Sequence, residues 1–259
     1  MNSQLLIEHD TLNKRHTMGK AILSLSGGLD STALLLHLIE KDYDVHTISY
    51  YYGQKNKVEL DGLARILHYL EYEGYKIPNQ RVDLSSVFGS FHSSLTSSDV
   101  DVPTGKTDES KMKLNFVPNR NAIFSSVLYG FAVSIAKESD TQLDVCLGVH
   151  AGDGNIIPPD CTPEFYEKLE DAFKIGNVNT ENINYYLPYV NKKKFNIIKE
   201  AYEICESLGL NFEYIFENSI SCYNGDGCGK CGACKDRILA FDKAGIKDVT
   251  KYEVINEKR

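Results

Sequence analysis

A run of small and polar residues between two apolar segments has the residue types and spacing of a phosphate-binding loop. The run is Ser-Gly-Gly-Leu-Asp-Ser over residues 26–31, after the apolar segment Ala21–Leu25 and before the helical pattern Thr32–Ile39. Two glycines let the backbone turn tightly without a Cβ clash, so several N–H groups and the positive end of a helix can meet at one point. This pattern predicts a site for a nucleotide pyrophosphate, and the alternative is an ordinary tight turn.

The loop differs from the two commonest nucleotide motifs. It lacks the Gly-Lys-Ser/Thr ending of a Walker A loop and the G-x-G-x-x-G spacing of a dinucleotide site. It resembles the pyrophosphatase-type loop of ATP-dependent adenylating enzymes, which cleave ATP between its α and β phosphates. The resemblance implies that Asp30 helps to hold Mg²⁺, a cation that prefers oxygen ligands. The residues expected to bind ATP are Ser24, Ser26, Gly27, Gly28, Leu29, Asp30, Ser31, Thr32, Tyr52 and Gln54.

Four of the seven cysteines form a second cluster that could do chemistry. They are Cys222, Cys228, Cys231 and Cys234, in the spacing C-x5-C-x2-C-x2-C. Four thiolates at this spacing match a closed tetrahedral Zn²⁺ site, and the alternatives are an iron–sulfur cluster or free thiols. The Cys-Pro that ends a ferredoxin run is absent, which favours zinc. With no open ligand position, the metal is expected to be structural rather than catalytic.

Strand and helix signals alternate along the chain that carries these two clusters. After Ala21–Leu25, strands are predicted at 43–52, 81–84, 143–149 and 183–187, and helices at 32–39, 57–72, 123–135, 163–174 and 194–208. Repeated β–α units predict an α/β fold, a doubly wound and mostly parallel sheet with helices on both faces. Ligands of such sheets bind outside the carboxyl ends of the strands, where the loop at 26–31 would lie. Residues 90–115 are rich in Ser, Thr and Asp and are predicted to form a long surface loop.

Length and charge limit the classes of protein. The 259 residues suit one large domain with a small appendage. We expect an extension over 1–18, an ATP pyrophosphatase-type domain over 19–215 and a zinc-binding segment over 216–259 packed on the same domain. The net charge of −8 argues against a tight, sequence-independent grip on nucleic acid. With no membrane-length apolar run and no signal-peptide core, a soluble cytoplasmic protein is expected.

Motifs over about residues 20–246 resemble the 7-cyano-7-deazaguanine synthase family. They are SGGLDST at 26–32, YGQKNKVEL at 52–60, VPNRN at 117–121, GVHAGDGNIIPPDCTPEF at 148–165, a 188–194 segment and SCYNGDGCGKCGACKDR at 221–237. The resemblance implies an adenine-nucleotide-alpha-hydrolase-like core. It also implies a reaction in which ATP activates 7-carboxy-7-deazaguanine, ammonia forms the amide, and a second activation gives the nitrile.

The resemblance also assigns further site residues. Lys194 matches the family's lysine, and the alternative is a solvated lysine after a strand. Arg120 and Asn121 begin a helix where a phosphate or carboxylate could bind, and for Arg120 the alternative is a surface ion pair. Tyr52 and Gln54 follow the second strand, so they would contact adenine or substrate unless they only cap the strand. The candidates for substrate binding in the loop after the fourth strand are His150, Asp153, Asp160 and Cys161, with Asp160 alternatively capping a helix.

Departures from the family pattern keep other functions open. Pro158 stands where the family has tyrosine, Thr162 stands where it has arginine, and the chain has no tryptophan. One alternative is a divergent enzyme that adenylates a deazaguanine and transfers it to another amine, such as one on a partner protein. Another is a non-catalytic zinc module that binds nucleotide or RNA. The expected partners are the small-molecule substrates 7-carboxy-7-deazaguanine, ATP and ammonia, and a homodimer is left open.

Overall fold

Five parallel strands form a single sheet in the computed structural model, which describes residues 19–137, 141–150 and 157–253. Their order across the sheet is β3-β2-β1-β4-β5. The strands are β1 (Lys20–Ser24), β2 (Asp44–Tyr51), β3 (Asn79–Asp83), β4 (Leu143–Leu147) and β5 (Ile183–Tyr186). This arrangement confirms the predicted parallel sheet. The extension predicted over 1–18 lies outside the described residues.

Helices cover both faces of this sheet. In the described residues they are α1 (Leu29–Glu40), α2 (Val58–Tyr72), α3 (Ser85–Phe88), α4 (Glu109–Asn115), α5 (Arg120–Ala136), α6 (Pro163–Gly176), α7 (Lys194–Leu208), α8 (Phe212–Asn218) and α9 (Gly232–Ala244), with a 3-10 turn at Pro159–Cys161. Helices α1, α2, α7, α8 and α9 share one apolar core, and α5 and α6 share the core on the opposite face. Successive strand residues alternate between the cores, since Ala21 and Leu23 enter the first and Ile22 enters the second. The doubly wound prediction is therefore confirmed.

The strand order reverses between β1 and β4. The chain proceeds from β1 to β2 on one side, while β4 pairs with β1 on the other, with Ser24 opposite Leu147. Such a switch point opens a crevice at the carboxyl ends of the strands, where ligands bind in folds of this kind. The loop at 26–31 and residues 148–150 both leave the sheet at this crevice. Strand β4 ends at Leu147, two residues before the predicted end. Gly148 then approaches the main chain of Asp30 and Ser31, and Val149 packs against the second apolar core.

The prediction of a surface loop over 90–115 is wrong in part. Helix α4 occupies its end, and Leu95 and Val102 are buried beside the cysteine cluster in a third apolar core. The backbone of Thr104 also forms a β-bridge with Cys231. The apolar residues of this segment are too widely and irregularly spaced to show a helix or strand period. Its polar composition therefore predicted an exposed loop and gave no sign of the buried residues.

Two further expectations bear on the chain as a whole. Helix α8 runs across the boundary expected at residues 215 and 216, so a division after Asn218 suits the helix better and the domain limits stay a proposal. Within the described residues, no helix is both long enough and apolar enough to cross a membrane.

Candidate functional site

The loop at 26–31 is shaped by its first glycine and by two serine hydroxyls. Gly27 has a φ of +88°, and an added Cβ would lie 2.6 Å from the carbonyl oxygen of Glu59, so no other residue fits without strain. The Ser26 and Ser31 hydroxyls lie 3.0 Å apart, and Ser31 Oγ donates to the Gly28 carbonyl at 3.2 Å. These bonds fix the turn from β1 into α1. The amide groups of the first turn of α1 have no intrahelical acceptors and face the crevice.

Not every residue expected to bind ATP presents its side chain there. Leu29 is 1% exposed and Thr32 is 0% exposed, so their side chains belong to the core. A contact between these two residues and a nucleotide would use their main chain. Ser24 is partly exposed at the end of β1. Gly28 directly precedes α1, and its N–H donates to the Ser26 hydroxyl oxygen at 3.1 Å.

Asp30, Lys194 and His150 meet at the crevice although they are far apart in sequence. Lys194 Nζ lies 3.0 Å and His150 Nε2 lies 3.6 Å from Asp30 Oδ2. Burial alone would raise the pKa of Asp30, but the attraction of Lys194 and His150 outweighs it and holds that pKa well below its usual value. Gly148 permits this approach, since a Cβ there would lie 2.7 Å from the Ser31 amide nitrogen.

The second carboxylate oxygen of Asp30 is suited to a metal ion. Oδ1 is buried and has no hydrogen-bond partner among the described residues, whereas Oδ2 faces Lys194. A buried carboxylate oxygen without a partner is costly unless a ligand satisfies it. The loop amides, the glycine turn and this hard oxygen donor together fit a nucleotide phosphate accompanied by Mg²⁺.

A second pocket surrounds Arg120 at the start of α5. The Arg120 guanidinium is within 3.5 Å of the Tyr52 hydroxyl, to which it donates, and lies over the Tyr52 ring. Burial would lower the pKa of Arg120, but Tyr52, Tyr223 and Asp160 raise it above the usual value, so the guanidinium stays charged. Tyr223 lies between Cys222 and Cys228 in the cysteine segment, residues 219–237, and no pattern in the sequence marked it as a site residue.

Asn121, Asp160 and Cys161 form one wall of this pocket. Asn121 Nδ2 donates to the Asp160 carbonyl at 3.2 Å and lies 3.8 Å from Cys161 Sγ. Burial and the Asp160 carboxylate raise the pKa of the Cys161 thiol to about 12, and the Asp30 carboxylate adds to this effect, so the two clusters are neighbours. The helix-cap alternative for Asp160 is wrong because Thr162 caps α6, accepting from the Phe165 amide at 3.3 Å. Asp153 lies outside the described residues.

Gln54 is placed differently from a direct ATP ligand. It is 3% exposed, accepts from the Tyr52 amide at 2.8 Å, and donates to the Tyr50 carbonyl and to Glu59 Oε1, both at 3.1 Å. Its amide is therefore engaged inside the turn after β2. This geometry favours a supporting role, in which Gln54 orients the Glu59 carboxyl group. Sequence reasoning missed Glu59, although its position in the 52–60 motif could have drawn attention to it.

The four clustered cysteines converge on one point. All four Sγ atoms of Cys222, Cys228, Cys231 and Cys234 lie within 4.8 Å of one another, and three of the residues are buried. Four sulfurs bound at about 2.3 Å to one Zn²⁺ would lie about 3.8 Å apart, and the Cys228–Cys234 pair lies 3.9 Å apart. Hydrogen bonds with the Cys222 and Cys234 thiols hold the pKa of Cys231 well below its usual value. The donor set thus fits a single thiophilic metal ion.

Backbone amides support two of these sulfurs. Cys222 Sγ accepts from the amides of Asn224 and Cys228 at 3.2 and 3.3 Å, and Cys228 Sγ accepts from those of Lys230 and Cys231 at 3.4 and 3.3 Å. Such bonds orient thiolate ligands and stabilise their negative charge.

The cysteine segment also contacts the phosphate loop. The Ile220 amide donates to the Gly27 carbonyl at 3.0 Å, and Asn56 Nδ2 donates to the Cys222 carbonyl at 2.6 Å. Arg237 is 1% exposed and donates to the Ser219 carbonyl at 2.6 Å. This bond fixes the segment whose next residue, Ile220, contacts the loop at 26–31. A disturbance at the cysteines would therefore reach the loop through a few hydrogen bonds.

The fold and the site define an α/β protein with a parallel sheet, a glycine-containing loop at the switch point and four cysteines that could hold a metal ion. A family model described as "Queuosine biosynthesis protein QueC" matches residues 20–245. The chain belongs to this family. The 7-cyano-7-deazaguanine synthase of Pseudoalteromonas translucida is 35% identical over 90% of this chain and 99% of its own length. The protein of the same name from Methanoregula boonei is 38% identical over 90% of this chain and 99% of its own length.

Solved structures resemble the chain more distantly. A 4-thiouridine synthetase–RNA complex with bound ATP matches 79% of this chain and 43% of its own, with 18% sequence identity and a TM-score of 0.44. This similarity is too low to bear on the chemistry. The family match does not favour the alternative in which the deazaguanine is transferred to a partner protein.

Proposed function

We propose that this chain is an ATP-dependent C–N ligase that converts 7-carboxy-7-deazaguanine and ammonia into 7-cyano-7-deazaguanine. The observation that carries the proposal is the meeting of Asp30, Lys194 and His150 beside the phosphate loop, in a chain of the QueC family. A carboxylate is a poor electrophile, and adenylation gives its carbon a good leaving group. The reaction therefore needs anion-stabilising groups at ATP and a separate pocket for the acid, and the crevice offers both.

The first cluster would act on ATP. The loop amides and the N-terminus of α1 would bind the phosphates, and Lys194 would stabilise the negative charge that develops when pyrophosphate leaves. Asp30 would hold Mg²⁺ through its carboxylate, and Mg²⁺ would neutralise charge on the phosphate oxygens. His150 would keep Asp30 oriented at 3.6 Å.

The second cluster would act on the acid. Arg120 offers a buried, charged guanidinium for the substrate carboxylate, a role that matters because Thr162 stands at the family's arginine position. Tyr52 offers an aromatic surface beside it. Asn121, Asp160 and Cys161 line the wall where the polar edge of a deazaguanine would form hydrogen bonds.

The four cysteines would bind one structural Zn²⁺. The observed sulfur separations suit a mononuclear tetrahedral site, whereas a four-iron cluster binds each thiolate to a different iron and needs wider spacing. Metal binding at such a site contributes directly to folding free energy. Through Ile220 and Gly27 it would also steady the phosphate loop.

Product analysis tests the proposed function. The purified protein is incubated with ATP, Mg²⁺, ¹⁵N-ammonium and 7-carboxy-7-deazaguanine, and the products are separated and weighed by mass spectrometry. We expect 7-cyano-7-deazaguanine with one ¹⁵N, together with AMP and pyrophosphate. Formation of ADP and phosphate, or no nitrogen incorporation by a folded and metal-loaded protein, would contradict the proposal.

A further inference from the structure

Glu59 is a carboxyl group at the site to which the reaction outlined above gives no role. It lies in the first turn of α2, and its own carbonyl oxygen borders Gly27 of the phosphate loop. Its Oε1 accepts from Gln54 Nε2 at 3.1 Å, and the other bonds of Gln54 tie that amide rigidly to the end of β2. The carboxyl group is thus oriented from outside the pocket by a fixed donor. Such fixed donors are how proteins orient groups that must act with defined geometry.

The surroundings of Glu59 combine burial with two pocket residues. Burial raises the pKa of Glu59 to about 7, while the Gln54 hydrogen bond and the Arg120 charge lower it less strongly. The Glu59 carboxylate in turn contributes to the raised pKa of Tyr52. Among the described residues, Arg120 on α5 and Tyr52 after β2 are the charged and titratable groups that interact with Glu59 from neighbouring elements, and Gly27 of the loop brings no ionisable side chain. A carboxyl group of this kind can both accept and release a proton near neutral pH.

Asp30 suits this exchange less well, because its pairing with Lys194 and His150 keeps it ionised. Burial also raises the pKa of Asp160, but its carboxylate accepts from the Cys161 thiol at 3.8 Å, on the pocket wall assigned above to the ring of the acid.

We propose that Glu59 is the proton acceptor for the nitrogen nucleophile. The proposal rests on the proposed function. In the first stage the ammonia lone pair forms the C–N bond at the adenylated carbon, one N–H proton passes to Glu59, and the C–O bond to AMP breaks with its electron pair leaving on the phosphate. In the second stage the amide oxygen attacks the α phosphate of a second ATP and pyrophosphate leaves. The adenylated amide then loses its two N–H protons, one to Glu59 and the other to solvent, and the C–O bond to AMP breaks with its electron pair leaving on the phosphate, which leaves the C≡N bond.

A partial reaction separates this role from ATP binding. Exchange of labelled pyrophosphate into ATP, dependent on 7-carboxy-7-deazaguanine, measures adenylation without the nitrogen step. Glu59→Gln keeps an acceptor for Gln54 but cannot take a proton. We expect exchange within about threefold of wild type and nitrile formation lowered by about 10²–10⁴-fold. Glu59→Asp should recover part of the rate, and Asp61→Asn, an exposed acid in the same helical turn, should behave as wild type.

The pH profile gives a second readout that a structural role would not move. With the free ammonia concentration held constant across the pH range, the wild-type rate of nitrile formation should fall with unit slope as the pH drops below about 7, because protonated Glu59 cannot act as a base. Glu59→Gln should lose this limb. Normal nitrile formation by Glu59→Gln, or an equal loss of exchange and product, would overturn the proposal. If the wild type itself shows no pyrophosphate exchange that depends on 7-carboxy-7-deazaguanine, the proposed function fails instead, whatever Glu59 does.

Discussion

Replacing Asp30 by asparagine removes one negative charge from the centre of the crevice while keeping the side-chain shape. Lys194 and Asp30 are only 12% and 21% exposed and lie 3.0 Å apart, so their charged hydrogen bond contributes about 1.5–3 kcal/mol. An acidic residue in the first turn of α1 adds about 0.3–1 kcal/mol. Asp30→Asn should therefore lower the free energy of unfolding by about 2–4 kcal/mol. At about 2–4 °C per kcal/mol for domains of comparable size, the melting temperature should fall by about 4–16 °C.

Activity should fall further than stability explains. Asparagine offers Mg²⁺ a neutral oxygen and leaves Lys194 without its orienting partner. Pyrophosphate release that depends on 7-carboxy-7-deazaguanine should therefore fall by about 10–100-fold. The assay measures pyrophosphate release at saturating ATP at a temperature where circular dichroism shows the variant folded. Glu40→Gln, an exposed acid at the end of the same helix, is the matched control and should leave both properties unchanged.

A double substitution tests the pairing itself. Lys194→Met removes the positive charge that Asp30→Asn would otherwise leave buried without its partner. In the Lys194→Met background, Asp30→Asn should therefore destabilise the protein less than it does in the wild type, by about 1 kcal/mol or more. Wild-type turnover and melting by Asp30→Asn, or strict additivity in the double variant, would refute the assignment of Asp30 as the centre of the site.

Four other expectations follow from the geometry. Gly148→Ala should destabilise the protein by about 1–3 kcal/mol and lower turnover, because its Cβ would lie 2.7 Å from a main-chain nitrogen of α1, while Gly130→Ala, with open space around it, should stabilise α5 by about 0.5–1 kcal/mol. Elemental analysis should find one zinc per chain, and Cys234→Ala should lose the zinc and lower the melting temperature. Thr162→Arg should lower KM for the acid about tenfold and leave KM for ATP unchanged, at a cost of about 0.5–2 kcal/mol for the lost helix cap. Glu59→Gln should stabilise the protein at pH 8 by up to about 3 kcal/mol and hardly at pH 4.

Ionisation of the buried Glu59 opposes folding, so its effect on stability depends on pH. The pKa of Glu59 is raised from 4.5 to about 7 on folding, so ionisation favours the unfolded chain. The wild type loses this stability as the pH rises from about 4.5 to 7, and a glutamine that never ionises does not. A constant difference from pH 4 to 8 would contradict the buried position of Glu59.

Iron with sulfide in the purified protein would contradict the zinc site. An unchanged acid KM in Thr162→Arg would place that position outside the pocket. Equal melting temperatures for wild type and Gly148→Ala would show that Gly148 lies farther from the Ser31 amide nitrogen than the 2.7 Å separation from an added Cβ requires.

The fold could be predicted because its signals are local. Apolar strand segments, helical stripes and a glycine turn each depend on neighbouring residues, and their alternation implies the parallel sheet. The 90–115 segment could not, since its buried residues contact the cysteine segment more than a hundred positions away, and no period within it reports that contact.

The site was predictable in part for the same reason. The phosphate loop and the four cysteines are contiguous motifs, so their spacing alone indicated the chemistry. The pairing of Asp30 with Lys194 and His150 depends on the order of strands across the sheet, which the sequence does not display. Gln54 and Thr162 turned out to support a turn and a helix end, because hydrogen bonds inside the protein take up their polar groups.

Oxygen transfer from the acid to AMP tests the central claim most directly. 7-Carboxy-7-deazaguanine labelled with ¹⁸O at both carboxyl oxygens is converted with ATP and ammonium, and the nucleotide and phosphate products are weighed by mass spectrometry. Two successive adenylations predict one ¹⁸O in each AMP released, two labelled AMP molecules per nitrile, and no label in pyrophosphate or inorganic phosphate. Label in inorganic phosphate, or unlabelled AMP beside a nitrile product, would contradict the account.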